Sequence, residues 1–153
     1  MSNLFQRSAM TSRLIDSLYV EAMVLADEAR AYFDARELSE RETLSPELRV
    51  TFACESLKVT TRLMHVVAWL LTRRAEAAGE LDRSEATSPE RRLGFAAPSE
   101  ADSIAPLPKG ARDTIASSSD LYARVARLDA ELDAVEPVSP ARDLLGRLEV
   151  ARF

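Results

Sequence analysis

An all-α fold, a three-helix bundle, is what this sequence predicts, and three observations predict it. Glycine occurs only four times, while alanine, leucine, glutamate and arginine dominate, a composition that favours helix over strand. Apolar residues recur at three- and four-residue intervals in three separate stretches, the spacing of one helical face. Ser45-Pro46 and Ser139-Pro140 each place a capping hydroxyl before a proline, the signature of a helix start. At 153 residues the chain fits a single helical domain, 1–153, with one modest core.

The first helix is predicted over residues 12–36. Thr11 or Ser12 caps it. Ile15, Leu18, Ala22, Leu25, Ala29 and Tyr32 form its seam, widened by Tyr19, Ala26 and Phe33. The second is predicted over 46–78, opened by Ser45-Pro46-Glu47 and stopped by Gly79. It spans ~50 Å. Phe52, Val59, Leu63, Val66 and Leu70 make one apolar face, and Leu57, Met64, Val67 and Leu71 make another. A helix apolar on two sides buries both, which puts this one in the middle of the bundle. The third is predicted over 111–134, with Leu121, Val125, Leu128, Leu132 and Val135 as its seam and Ile115 and Tyr122 beside it. The run Ser117-Ser118-Ser119 is a poor helix interior. It reads as a loose first turn, with Ser119 or Asp120 as the true cap.

Two segments lie outside these helices. The stretch 80–108 holds Pro89, Pro98, Pro106 and Pro108, which exclude a continuous helix. A connection this long reads as a functional or disordered linker, with Leu93, Phe95, Ile104 and Leu107 available to pin it. The tail, 137–153, restarts at Ser139-Pro140. Leu144, Leu145 and Leu148 stripe a short helix there, weakened by Gly146, and are a candidate partner-binding segment.

The apolar run from Leu63 to Leu71 is too short for a bilayer, which needs roughly 20 apolar residues. The first residues lack the apolar stretch of a signal peptide. A cytoplasmic chain that meets no membrane is therefore expected. Lysine plus arginine number 20 against 25 aspartates plus glutamates, a net charge of −5, with no basic stripe of the kind nucleic acid needs. One cysteine allows no intrachain disulfide framework.

Chemistry is hard to find. His65 and Cys54 are the only residues of their types. They lie on one helix ~16 Å apart, too far for a nucleophile–base pair or a shared metal. The carboxylates alternate with arginine over 27–42 and 124–136, as on a solvated helix face. The four glycines stand alone, so no loop cradles a phosphate. No enzyme, metal or cofactor is expected. A lone histidine in a helical bundle does raise a phosphorelay alternative, although Val66-Val67-Ala68-Trp69 follows it in place of the usual lysine and glycine. The informative feature is a row on the second helix: Lys58, Arg62, His65, Trp69 and Arg73, off both apolar faces. Two readings stay open. It is either an amphipathic row whose indole lies over a core edge, or a protein-interaction surface, since Trp and Arg are enriched at interface hot spots and stack on each other. In the second reading His65 and Trp69 point away from the bundle and Trp69 packs on a partner chain, a homodimer first of all.

The stretches EARAYFD, FACESLKVTTRLMHVVAWLL and SSSDLYARVARLDAEL, in this order and with a proline-rich gap before the third, resemble the alphaproteobacterial regulator-of-CtrA-degradation (RcdA) family. The resemblance covers roughly Ser12 to Val135, and its most specific part is Glu55 to Leu71. It implies a dimeric three-helix bundle that works as an adaptor for the ClpXP protease, delivering the cell-cycle response regulator CtrA and other regulators for degradation. It also implies a response-regulator-like adaptor and a cyclic-di-GMP-binding effector as partners. Neither 80–108 nor the tail carries a matching family motif. A helical scaffold unrelated to proteolysis is the remaining alternative.

Overall fold

The computed structural model describes residues 2–133 together with 144, 145, 147 and 148. Among the described residues every regular element is helical. Helix α1 spans Ser2–Ala31 and runs into a single π-helical turn, Tyr32–Arg36. Helix α2 is Glu37–Glu42, α3 is Pro46–Ala77, α4 is Arg83–Ala86, α5 is Ala101–Ile104 and α6 is Lys109–Glu131, with a 3-10 turn at Pro89–Arg91. Three long helices, α1, α3 and α6, make the bundle. Asp16 meets Arg74 and Glu21 meets Arg124, so α1 runs against both others. Arg62 meets Ser118 and Trp69 meets Asp129, so α3 and α6 are parallel. Parallel neighbours need a crossover, and 78–108 supplies it.

The ends of α3 follow the local signals. Ser45 Oγ accepts from the Leu48 N–H at 3.3 Å, with Pro46 at the first helical position. Gly79 takes φ +76°, the left-handed conformation that lets the chain turn back and Glu80 N–H reach Ala75 O at 2.9 Å. Helix α1 differs from the expected start near residue 12. Nothing in residues 2–11 breaks a helix, so it begins at Ser2, ten residues earlier. Helix α6 also differs. It starts at Lys109 and carries the serine run in its interior, because Ser118 is fully buried and its hydroxyl donates to Ile115 O at 2.9 Å.

The core draws on the expected apolar faces, with Ile15, Leu18, Ala22, Ala29 and Phe33 of α1, Phe52, Val59, Leu63, Val66 and Leu70 of α3, and Ile115, Leu121 and Val125 of α6, and adds Trp69, Leu107 and Ala111, while Leu25, Tyr32, Leu128 and Leu132 are only partly buried. Tyr32, Phe33 and Phe52 close one end in edge-on and tilted ring contacts. The second apolar face of α3 is not buried. Leu57, Met64 and Leu71 are 67%, 65% and 46% exposed, and Val67 is half-buried. Helices α1 and α6 sit on adjacent sides of α3 and touch each other, so α3 has one wide buried arc and one open face.

The 80–108 stretch is not a loose linker. It lies as a strap along α3 and α6. Its own Ala86, Ala96 and Leu107 are buried and Leu93 and Ile104 half-buried, while Phe95 stands 81% exposed and pins nothing. Of the tail, Leu144, Leu145 and Leu148 are helical and about 60% exposed. The restart at Ser139-Pro140, Val135 and Gly146 lie outside the described residues.

Candidate functional site

The row Lys58, Arg62, His65, Trp69, Arg73 faces the strap, not water. Arg62, Trp69 and Arg73 are 2%, 3% and 7% exposed, and Lys58 and His65 are half-buried. The expectation that His65 and Trp69 point away from the fold toward a partner is therefore corrected. The strap covers the stripe, because this row carries the polar groups that satisfy the strap's backbone. A buried segment without helix or sheet must find such partners somewhere.

Arg62 is the central tie. Its Nη1 donates to Ser118 Oγ at 3.2 Å, and its Nη2 donates to Ala97 O at 3.0 Å and to Ser99 Oγ at 2.6 Å. Ser99 in turn donates to Glu55, itself 3% exposed. Lys58 Nζ completes the cluster, 2.9 Å from Glu55 and 3.3 Å from Pro98 O. Burial pulls the Arg62 guanidinium below its usual range, and Glu55 opposes that pull. A buried charge needs such a counterion with its remaining donors satisfied.

Trp69 Nε1 donates to Asp129 Oδ1 at 2.8 Å, while the Arg73 guanidinium lies 5.3 Å from the indole centroid and donates to Ala86 O. Arg92 of the strap clasps the last turn of α6. It reaches Asp129 through Nε at 2.8 Å and Asp133 through Nη1 at 2.6 Å, and the Asp129 carbonyl at 2.6 Å. Burial pushes Asp129 up, but hydrogen bonds from Arg92, Trp69 and the Leu93 N–H outweigh it and leave the carboxyl below its usual range. Asp133 is lowered first by its hydrogen bond to Arg92. At the middle of the strap Gly94 lies flat on His65. A Cβ there would stand 2.6 Å from His65 Nδ1, and that nitrogen is buried without a partner. The phosphorelay alternative gains nothing from a ring closed in on that side.

The open surface lies elsewhere. Val50, Leu57, Met64 and Leu71 recur every seven residues along α3; the first three are largely exposed and Leu71 nearly half. Beside this row a groove of about 600 Å³ separates α1 from α3, its walls including Ala26, Phe33, Leu63, Met64, Val67 and Leu71. Cys54 is exposed on α3. Among the described residues no three His, Cys, Asp or Glu side chains gather where a metal would sit, and no helix is long and apolar enough to cross a membrane.

Glu55, Ser99 and Asp129 carry no local signal that marks them, and the pattern places Tyr122 beside the seam of α6 without its hydroxyl's partners. Ser118 stands out in the sequence only as part of a serine run that reads as a loose first turn. Leu57, Met64 and Leu71 of this row are legible in the spacing as an apolar face, but that face is open and not the buried one expected.

The family model described as a protein of unknown function (DUF1465) matches residues 6–152. The crystal structure of RcdA from Caulobacter crescentus CB15 superposes with a TM-score of 0.66 at 32% identity, over 80% of this chain and 93% of that one. The chain belongs to the RcdA family. No curated protein matches the chain. Like the RcdA structure, this member is all-α, and the long helices that carry EARAYFD, the Glu55–Leu71 stretch and SSSDLYARVARLDAEL are the three walls of its bundle.

Proposed function

We propose that this RcdA-family chain is a non-enzymatic, dimeric adaptor in regulated proteolysis, delivering a response regulator and other cargo to ClpXP. The observation that carries the reading is the exposed row Val50, Leu57, Met64, Leu71 beside the α1–α3 groove. Monomeric proteins rarely expose a contiguous apolar patch of this kind without a partner for it. A seven-residue apolar repeat is the seam by which one helix packs on another. A second copy of the same row supplies such a helix, and a two-fold axis makes the patch self-complementary. Adaptor action then needs no catalytic group. Two modest contacts raise the local cargo concentration to ~mM.

The stripe's part in this reading is indirect. Arg62, Trp69 and Arg73 hold the strap in place, and a partner meets the strap's outer surface. The test has two arms. Light scattering at micromolar concentration is expected to give about twice the 16.9 kDa chain mass, and Leu57→Asp with Met64→Asp is expected to give a folded monomer. Reconstituted ClpXP is expected to degrade a response-regulator cargo faster when the wild-type chain is added. A monomeric wild type removes the dimer, and an unchanged degradation rate removes the adaptor role.

A further inference from the structure

Between Leu93 and Ser99 the strap is extended, with neither helix nor sheet. Leu93 shares Asp129 with Trp69, and Ser99 donates to Glu55. Six residue steps thus run alongside fourteen helical ones, a rise of ~21 Å, which is about the reach of a fully extended chain. Side chains hold this backbone at every turn. Leu93 N–H donates to Asp129 Oδ1 at 3.3 Å, and the Tyr122 hydroxyl donates to Gly94 O at 2.7 Å and accepts from Ala96 N–H at 3.2 Å. Arg62 and Lys58 donate to the carbonyls of Ala97 and Pro98. The side chains alternate. Gly94 rests on the His65 ring with no room for a methyl group, Phe95 turns out at 81% exposure and Ala96 turns in at 6%. Main-chain bonds for affinity, with pockets for alternate side chains, are how a protein recognises an extended peptide.

The strap fills this groove incompletely. His65 Nδ1 and Arg73 Nε are buried with no hydrogen-bond partner among the described residues, and Arg73 Nη1 has only the Glu76 carboxylate, 3.3 Å away. Arg73 is 7% exposed, and the strap offers its guanidinium a single acceptor, Ala86 O. Both residues belong to the stripe that the strap covers. Buried polar atoms are ordinarily paired. The closed arrangement therefore carries a penalty that falls on the strap's own interface and is relieved when the strap lifts.

We propose that the α3–α6 groove is a peptide-recognition groove whose resident, strap residues 93–99, is displaced by an extended segment of a partner protein that carries glycine over His65 and a small residue two positions later. The strap is then an intrachain competitor. A groove open about one time in a hundred binds its ligand ~100-fold more weakly than the same groove held open, so the strap sets the threshold at which a partner enters. This surface is not the row proposed for the second copy, and the inference stands apart from the protease reading.

Titration of the full-length chain with a synthetic peptide of residues 90–100, ERRLGFAAPSE, tests it, read by the emission of Trp69, the one tryptophan of the chain. The wild type is expected to bind the peptide weakly, because its own strap holds the groove. Arg92→Ala cuts the clasp at one end of the strap, and Gly94→Ala lifts the strap off His65. Both chains are expected to bind the peptide at least ~10-fold more tightly than the wild type, and binding is expected to return their Trp69 emission to the wild-type position. Arg92→Ala alters only the clasp, so it decides the matter should Gly94→Ala cost the fold. A peptide carrying Gly94→Val is expected not to bind. If the loosened chain gains no affinity over the wild type, the strap is a fixed wall of the fold and the proposal is overturned. If the Gly94→Val peptide binds equally well, the groove does not read the strap's pattern, and the proposal is overturned as well.

Discussion

Trp69 fills the seam between α3, α6 and the strap, and its indole N–H is one of the donors that keep Asp129 ionised. Trp69→Ala is therefore expected to cost ~3–5 kcal/mol, as emptying a buried aromatic site does, out of a stability of ~5–15 kcal/mol. Urea melts followed by circular dichroism measure it, and a loss under ~1 kcal/mol would put the indole outside the core. Gly94 makes a second sharp prediction. A methyl group there collides with the half-buried His65 ring on α3. Gly94→Ala is expected to cost ~1–3 kcal/mol, and a second change, His65→Ala, is expected to restore part of it by making room. The carboxyls set the pH response. Asp129 and Asp133 sit below their ordinary range in the folded chain, so the stability they lend is present above the unfolded carboxyl range and is lost as pH falls through their folded values. Melting temperature is expected to stay level from pH 7 to about 5 and to fall below about 4. Arg92→Ala is expected to flatten part of that fall.

At the scale of elements, legibility tracks how far away a residue's partner lies in sequence. Ser45, Pro46 and Gly79 act on their own helix ends, within four residues, and the boundaries of α3 followed from them. The seam residues of α1, α3 and α6 repeat a periodic pattern, and they too were legible. Arg62, Trp69 and Ser118 were not, since their partners stand 35 to 60 residues away. A row of basic and aromatic residues looks the same whether water, another protein or a distant stretch of its own chain covers it. The strap was misread for the same reason. Its prolines correctly excluded a helix, but its order comes from side chains on α3 and α6. Its attachment is largely polar, so it is expected to open ahead of the bundle as a unit of lower stability. Hydrogen exchange is expected to place the amides of 92–97 between those of α3's core turns and fully exposed loops. Arg92→Ala is expected to speed them at least several-fold while leaving residues 59–70 protected. Unchanged protection at 92–97 would mean that the clasp contributes little.

The whole molecule is asymmetric in what it shows. One side of α3 is an open apolar row, and another side is roofed by the strap. A dimer built on the row carries two strap surfaces facing outward, well placed for partners on either side. The crossover that makes this possible also decides how the molecule bears load. A machine that unfolds proteins by pulling on the C-terminal end of α6 meets Arg92 before the apolar seam, since Arg92 ties Asp129 in the last turn of α6 and Asp133 just beyond it to the strap. The first joint strained is a charged clasp reached at once, whereas the apolar seam lies further along α6. Survival under such force follows the rate of unfolding more than the equilibrium stability. With a degradation tag fused after Phe153, Arg92→Ala is expected to shorten the lifetime of the chain on ClpXP well beyond what its change in melting temperature explains. For a chain proposed to work beside a protease, this clasp is a lock against being pulled in from the end of α6.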